Sequence, residues 1–126
     1  MLAHHDLIAF IATAHPDRAK QFYSEVLGLR LMEDSPFALV YDAKGTMLRI
    51  QKAETFSKVE YTTLGWRVDD IHEAVKKLQE RGIRFERYSG LQQDEHGIWT
   101  TPDGNKIAWF TDPDGNLLSL TEIRQL

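Results

Sequence analysis

The 126-residue chain has no cysteine, so neither a disulfide nor a thiolate metal site is open to it. It has no apolar run near the ~18 residues that cross a bilayer as a helix. Its start, Met1-Leu2-Ala3-His4-His5-Asp6, lacks the basic and apolar regions of a secretory leader. Basic charge is not in excess either: 15 Lys and Arg stand against 19 Asp and Glu, a net charge of −4. The clustered cations that mark a nucleic-acid binder are therefore missing. No P-loop, dinucleotide fingerprint or Ser/His/Asp nucleophile arrangement occurs. These absences predict a soluble, cytoplasmic protein with no membrane and no nucleic-acid partner. The length fits one domain over residues 1–126, burying roughly two-thirds of its unfolded surface.

What is present is a pattern of short elements. Leu7–Thr13 is β-branched and aromatic-rich and reads as a strand. Pro16 suits the first position of a helix, whose apolar stripe is Ala19, Phe22, Tyr23, Val26 and Leu27, with Gly28 placed to end it. Strands are predicted over Arg30–Glu33, Ala38–Tyr41 and Thr46–Gln51. The order then repeats. Leu64–Val68 reads as a strand, and Asp70 with Glu73 forms a capping-box-like helix start. Ile71, Ala74, Val75 and Leu78 make the stripe, and Gly82 follows it. Strands are predicted at Arg84–Tyr88, Ile98–Thr100, Lys106–Thr111 and Leu117–Glu122, with a polar stretch over Ser89–Gly97. Two Pro-Asp-Gly-Asn turns, at 102–105 and 113–116, separate the last strands.

The two halves align as a duplication, module 1 at about 7–52 and module 2 at about 62–123. Ile8-x-x-Ile11-x-Thr13 matches Thr63-x-x-Trp66-x-Val68, 55 residues on, and the segment from Asp42 matches that from Asp112, 70 residues on. The difference falls mostly in the polar stretch before Ile98. Each half reads β-α-β-β-β, an α+β class. Two copies of such a unit normally pair, because neither buries its apolar face alone.

This order, with FYSEVLGLRL at 22–31 and FTDPDGNLLSLTE at 110–122, resembles the vicinal oxygen chelate superfamily of glyoxalases, bleomycin-resistance proteins and extradiol dioxygenases. The resemblance implies two paired βαβββ modules forming an incomplete, cupped barrel, a homodimer, and a ligand in the cup. Metal enzymes of that group take ligands from the first and last strand of each module. The equivalent positions here are Ile8, Arg49, Thr63 and Ser119, none of them a usual ligand for a divalent ion. No metal and no cofactor are expected.

Strand parity gives a reading of the same residues. Leu48 and Ile50, Leu118 and Leu120, and Leu64, Trp66 and Val68 should pack under the helices. The concave face then carries Arg49, Arg67, Gln51, Thr63, Ser119 and Thr121 beside Ile8, Phe10, Met47, Ile107, Trp109 and Leu117. A mostly apolar surface with a few polar groups suits a small organic ligand, and two arginines suit an anionic one. The alternative for Arg49 and Arg67 is ion pairing with Glu60, Glu122 or an aspartate. Trp109 is the preferred stacking residue.

The histidines carry less. His4 and His5 sit at a terminus, His72 falls off its helix stripe, and His15 precedes Pro16 as a cap or loop residue. His96 and Glu95, in the loop before Trp99, are the candidates for moving a proton. Two enzyme readings stand beside simple binding. One is a metal-dependent lyase, isomerase or dioxygenase with displaced ligands among His96, Glu95, Asp94 and Glu122. The other is a metal-free enzyme using His96 or Glu95.

Overall fold

The structure, a computed structural model, describes residues 1–124. Its contacts divide the chain into two compact units, residues 1–58 and Val59 onward.

In the first unit, strand β1 (Ile8–Thr13) is followed by helix α1 (Pro16–Gln21). Pro16 opens α1 where its missing N–H costs no hydrogen bond. The helix widens at Phe22–Val26 into a π-turn, closed by Leu27 N–H donating to Phe22 O at 2.9 Å. Ala19, Phe22 and Tyr23 of the predicted stripe are buried, and Val26 and Leu27 are half-buried. Gly28 leaves the helix at φ 73°, which a side chain would resist. Strands β2 (Arg30–Asp34), β3 (Ala38–Ala43) and β4 (Thr46–Lys52) complete a sheet ordered β1-β4-β3-β2. The β1–β4 pair is parallel, the other two antiparallel.

The second unit repeats this topology. Strand β5 (Thr62–Arg67), helix α2 (Ile71–Glu80), the two-residue β6 (Trp99–Thr100), β7 (Lys106–Thr111) and β8 (Leu117–Glu122) form a sheet ordered β5-β8-β7-β6. Again the first and last strands pair in parallel. The duplication is therefore visible in register: Ile11 lies opposite Ile50, and Trp66, 55 positions on, lies opposite Leu120, 70 positions on. This is the two-module α+β architecture expected.

Two local expectations are corrected. Residues 84–88 form no strand. A single backbone bond ties them to β7, from Glu86 N–H to Trp109 O at 2.7 Å, and a side chain stands in for a partner strand. Gln93 Oε1 accepts from Tyr88 N–H at 2.7 Å, while its Nε2 donates to Glu86 O and Gly97 O at 2.9 Å. The polar stretch before Ile98 is turns plus one isolated bridge, Gln93 to Trp99. The α2 start is only half a capping box. Asp70 Oδ1 accepts from Glu73 N–H at 3.2 Å, but Ile71 N–H is satisfied by Glu122 Oε1 at 3.0 Å, and Glu73 instead faces Lys77. A carboxylate from β8 thus fastens the helix to the sheet.

Pro113–Asn116 serves as hairpin geometry, as expected. Asp112, 5% exposed, accepts from Asp114 N–H and Asn116 N–H at 2.9 Å and from Asn116 Nδ2 at 2.8 Å. Replacing it leaves buried donors without partners, which is the costly direction. Asp112→Ala should destabilise the protein by about 2 kcal/mol, read as the midpoint shift in urea unfolding. Asp103→Ala, in the exposed sister turn, should stay within about 0.5 kcal/mol of wild type. Equal losses in the two variants would contradict this assignment.

Candidate functional site

Each sheet has one side under its helix and one open side, and parity assigns residues to them. In the first module Leu48, Ile50, Leu39 and Tyr41 are buried on the helix side. The open side pairs Ile8 with Met47, Phe10 with Arg49 and Ala12 with Gln51 across β1 and β4. Phe10 is 54% exposed, Ile8 43% and Met47 41%. Arg49 is half-buried and Gln51 exposed on that side. Its next neighbours across β3 and β2 are Val40 and Glu33.

In the second module Leu118, Leu120, Ala108 and Phe110 are buried on the helix side, and Trp66 is half-buried in the same set. The open side carries two rows. Gly65, Ser119 and Trp109 lie side by side across β5, β8 and β7. Arg67, Thr121, Ile107 and Trp99 form the row beside it. Thr63 sits at a bulge, and its hydroxyl donates to Leu117 O at 3.1 Å. Trp109 is flanked by two aromatic rings. Trp99 lies near-parallel to it, with centroids 6.2 Å apart and planes at 28°, and Tyr88 meets it edge-on at 5.4 Å and 87°. Both geometries are the favoured ones for aromatic pairs.

Strand parity predicts a single concave face for these residues; the structure places Arg49, Gln51, Phe10 and Met47 on the open side of the first sheet and Arg67, Ser119 and Trp109 on the open side of the second. Tyr88 was missed, because it was assigned to the end of a strand that does not form. Gly65 was missed as well, although a glycine inside a strand marks a site of close approach. The ion-pair alternative for the arginines is not what the side chains do. Among the described residues neither Arg49 nor Arg67 has an ion pair or side-chain hydrogen bond, and Glu122 is committed to Ile71.

The four positions at which the family's metal enzymes carry ligands do not fit a divalent ion. Ile8 has no donor, the Arg49 guanidinium has no free lone pair, the Thr63 hydroxyl is directed to a backbone carbonyl, and Ser119 offers only a neutral hydroxyl, a weak ligand. Nor do the displaced candidates gather elsewhere: among the described residues no three His, Asp or Glu side chains converge. Asp94 is instead a turn residue. Burial pushes its carboxyl up, but N–H donors from Ile98 and His96, both at 2.9 Å, and the nearby His96 and His72 hold it below its ordinary value. His96 is exposed and reaches only Glu95, at 3.6 Å. His15 and His72 are exposed, as are His4 and His5 in a 3-10 turn.

The turn at Asp94 positions Ile98 and so Trp99. Asp94→Ala should speed hydrogen exchange at the Ile98 amide by about tenfold, since a buried N–H loses its acceptor. Because the carboxyl is held low, its contribution is present above the ordinary carboxylate value and is lost as pH falls through the lower folded value. Wild-type protection of Ile98 should therefore persist at pH 5 and fade only in strong acid. Protection that drops between pH 7 and 5 would contradict this.

No helix among the described residues is long and apolar enough to cross a membrane. Residues 3–120 match the family model of the Glyoxalase/Bleomycin resistance protein/Dioxygenase superfamily. None of the curated proteins matches the chain. Among solved structures, TnmS3, an antibiotic binding protein from Streptomyces sp. CB03234, is 29% identical with a TM-score of 0.73, over 97% of this chain and 98% of that one. A superfamily member from Sphaerobacter thermophilus DSM 20745 is 26% identical with a TM-score of 0.74, over 98% and 100%. Lactoylglutathione lyase from Agrobacterium tumefaciens shares the fold at 16% identity and a TM-score of 0.70, over 94% and 93%. With its two βαβββ modules and a match spanning almost its whole length, the chain belongs to the Glyoxalase/Bleomycin resistance protein/Dioxygenase superfamily.

Proposed function

We propose that this protein binds a small organic molecule on the open face of its second module, without a metal ion or other cofactor. The observation that carries the reading is the cluster of Tyr88, Trp99 and Trp109 beside Ser119, Thr121 and Arg67 on one sheet face. Flat aromatic surface with a few polar groups at its edge is the composition of a small-molecule site. A similar chain, TnmS3, is an antibiotic binding protein, which supports binding rather than turnover as the activity. The donor chemistry at Ile8, Arg49 and Thr63 supports independence from metal.

Thr63 is a further ligand-facing residue of this face, and Phe10, Met47, Arg49 and Gln51 are taken as ligand-facing on the first module's own open face. Arg49 and Arg67, unpaired among the described residues, favour an anionic ligand over a cationic one. The reading takes the protein as a cytoplasmic homodimer. The exposed Ile8, Phe10 and Met47 support association, since monomers seldom leave such apolar side chains grouped in water. Light scattering should then give about twice the 14.5 kDa chain mass. His96 and Glu95 have no catalytic role in this account.

The test is a ligand screen by thermal shift, followed by calorimetry in EDTA. A ligand found this way should bind equally well with and without chelator. Trp109→Leu should weaken it at least tenfold, the loss of one stacking surface and its buried area. His96→Ala should leave affinity unchanged. Binding that vanishes in EDTA, or that ignores Trp109→Leu, would overturn the proposal.

A further inference from the structure

Ser119 is 7% exposed, yet its hydroxyl has no hydrogen-bond partner among the described residues. No fully buried side-chain oxygen or nitrogen there lacks a partner, so this oxygen must be reached from the open face. It leans toward β5. A Cβ placed on Gly65 would lie 2.9 Å from Ser119 Oγ, closer than such atoms come, and 3.6 Å from Ser119 O. Gly65 itself is exposed and is not in the left-handed backbone region. The missing side chain is therefore not required by the turn of the chain. It leaves a niche over the strand, floored by Gly65 and lined by the Ser119 hydroxyl.

Two further groups border this niche. Arg67, two residues along the same strand and on the same face, is about 7 Å from Gly65 at the backbone. Its stem is long enough to bring the guanidinium over the niche, and it is exposed and, among the described residues, unpaired. On the opposite side Trp109 sits directly across from Ser119, close enough for side chains of such pairs to touch. The niche thus has a donor hydroxyl, a permanent cation with a planar fork, and an apolar aromatic wall.

Resting on the binding reading above, we propose that this niche holds the carboxylate of a flat aromatic acid. The Ser119 hydroxyl donates to one carboxylate oxygen and the Arg67 guanidinium to both, while the ring lies against the Trp109 side of the aromatic cluster. Gly65 sets the specificity, because any side chain there fills the anion's place.

The experiment is a 1H–15N NMR titration of the full chain with 2-naphthoate and, separately, with its neutral counterpart 2-naphthamide. Naphthoate should bind about tenfold more tightly than the amide, the usual advantage of a charge-assisted pair, and only naphthoate should shift the Gly65, Arg67 and Ser119 amides. In Arg67→Gln and Ser119→Ala that preference of acid over amide should fall to within about twofold. Gly65→Ala should abolish the preference, Ser119 rotating aside to admit the methyl. Should Gly65→Ala fail to fold, Ser119→Ala, which removes one oxygen, decides alone. Equal affinity of wild type for acid and amide would overturn the niche while leaving small-molecule binding intact, as would a preference that survives Arg67→Gln. Binding of neither probe at millimolar concentration would likewise overturn the niche for flat aromatic acids, the broader binding reading being decided by the ligand screen.

Discussion

Each module is held in shape by a parallel pairing between its first and last strands, β1 on β4 and β5 on β8. Parallel neighbours cannot be joined by a tight turn. The intervening chain must cross over, and here it does so with a helix and two antiparallel strands. The crossover helix covers one side of the sheet and leaves the other open. Once that is set, odd and even positions along every strand have different fates. Leu48, Ile50, Leu118 and Leu120 go under a helix. Arg49, Ser119 and Trp109 go to the open face.

The two copies of this unit have kept their frame and diverged on their open faces. The first presents Ile8, Phe10 and Met47, apolar and exposed, beside Arg49. The second presents a three-ring aromatic cluster, a glycine where a side chain is expected, and a buried hydroxyl turned toward that glycine. Its longer connection before β6 allows this. Residues 83–97 form no strand of their own, so the Gln93 side chain clasps Glu86 and Tyr88 instead. Tyr88 is thereby delivered edge-on to Trp109.

Much of this frame was legible from residues alone. Alternation along 47–51 and 117–121 gave the buried and open faces, because the period of two is a property of any strand. Pro16, Gly28, Asp70 and Gly82 marked the helix ends through their backbone chemistry. The segment 84–88 was misread because its composition suits a strand, while the absence of a ladder depends on tertiary contacts from Gln93. The Asp70 cap was legible, but the bond from Ile71 N–H to Glu122 was not, because its acceptor is 51 residues away. The site was legible as a list of facing residues and not as a constellation. Parity places Ser119 and Trp109 on one face, but the reach of a hydroxyl toward Gly65 is a matter of register between strands far apart in sequence.

The proposed metal-free binding rests on the residues at Ile8, Arg49, Thr63 and Ser119, none of them a usual ligand for a divalent ion. It is tested most directly by plasma mass spectrometry on untagged protein purified without chelator. The account predicts less than about a tenth of an equivalent of any transition metal, unchanged after incubation with zinc, manganese, nickel or ferrous iron. Near-stoichiometric metal that survives dialysis would contradict it.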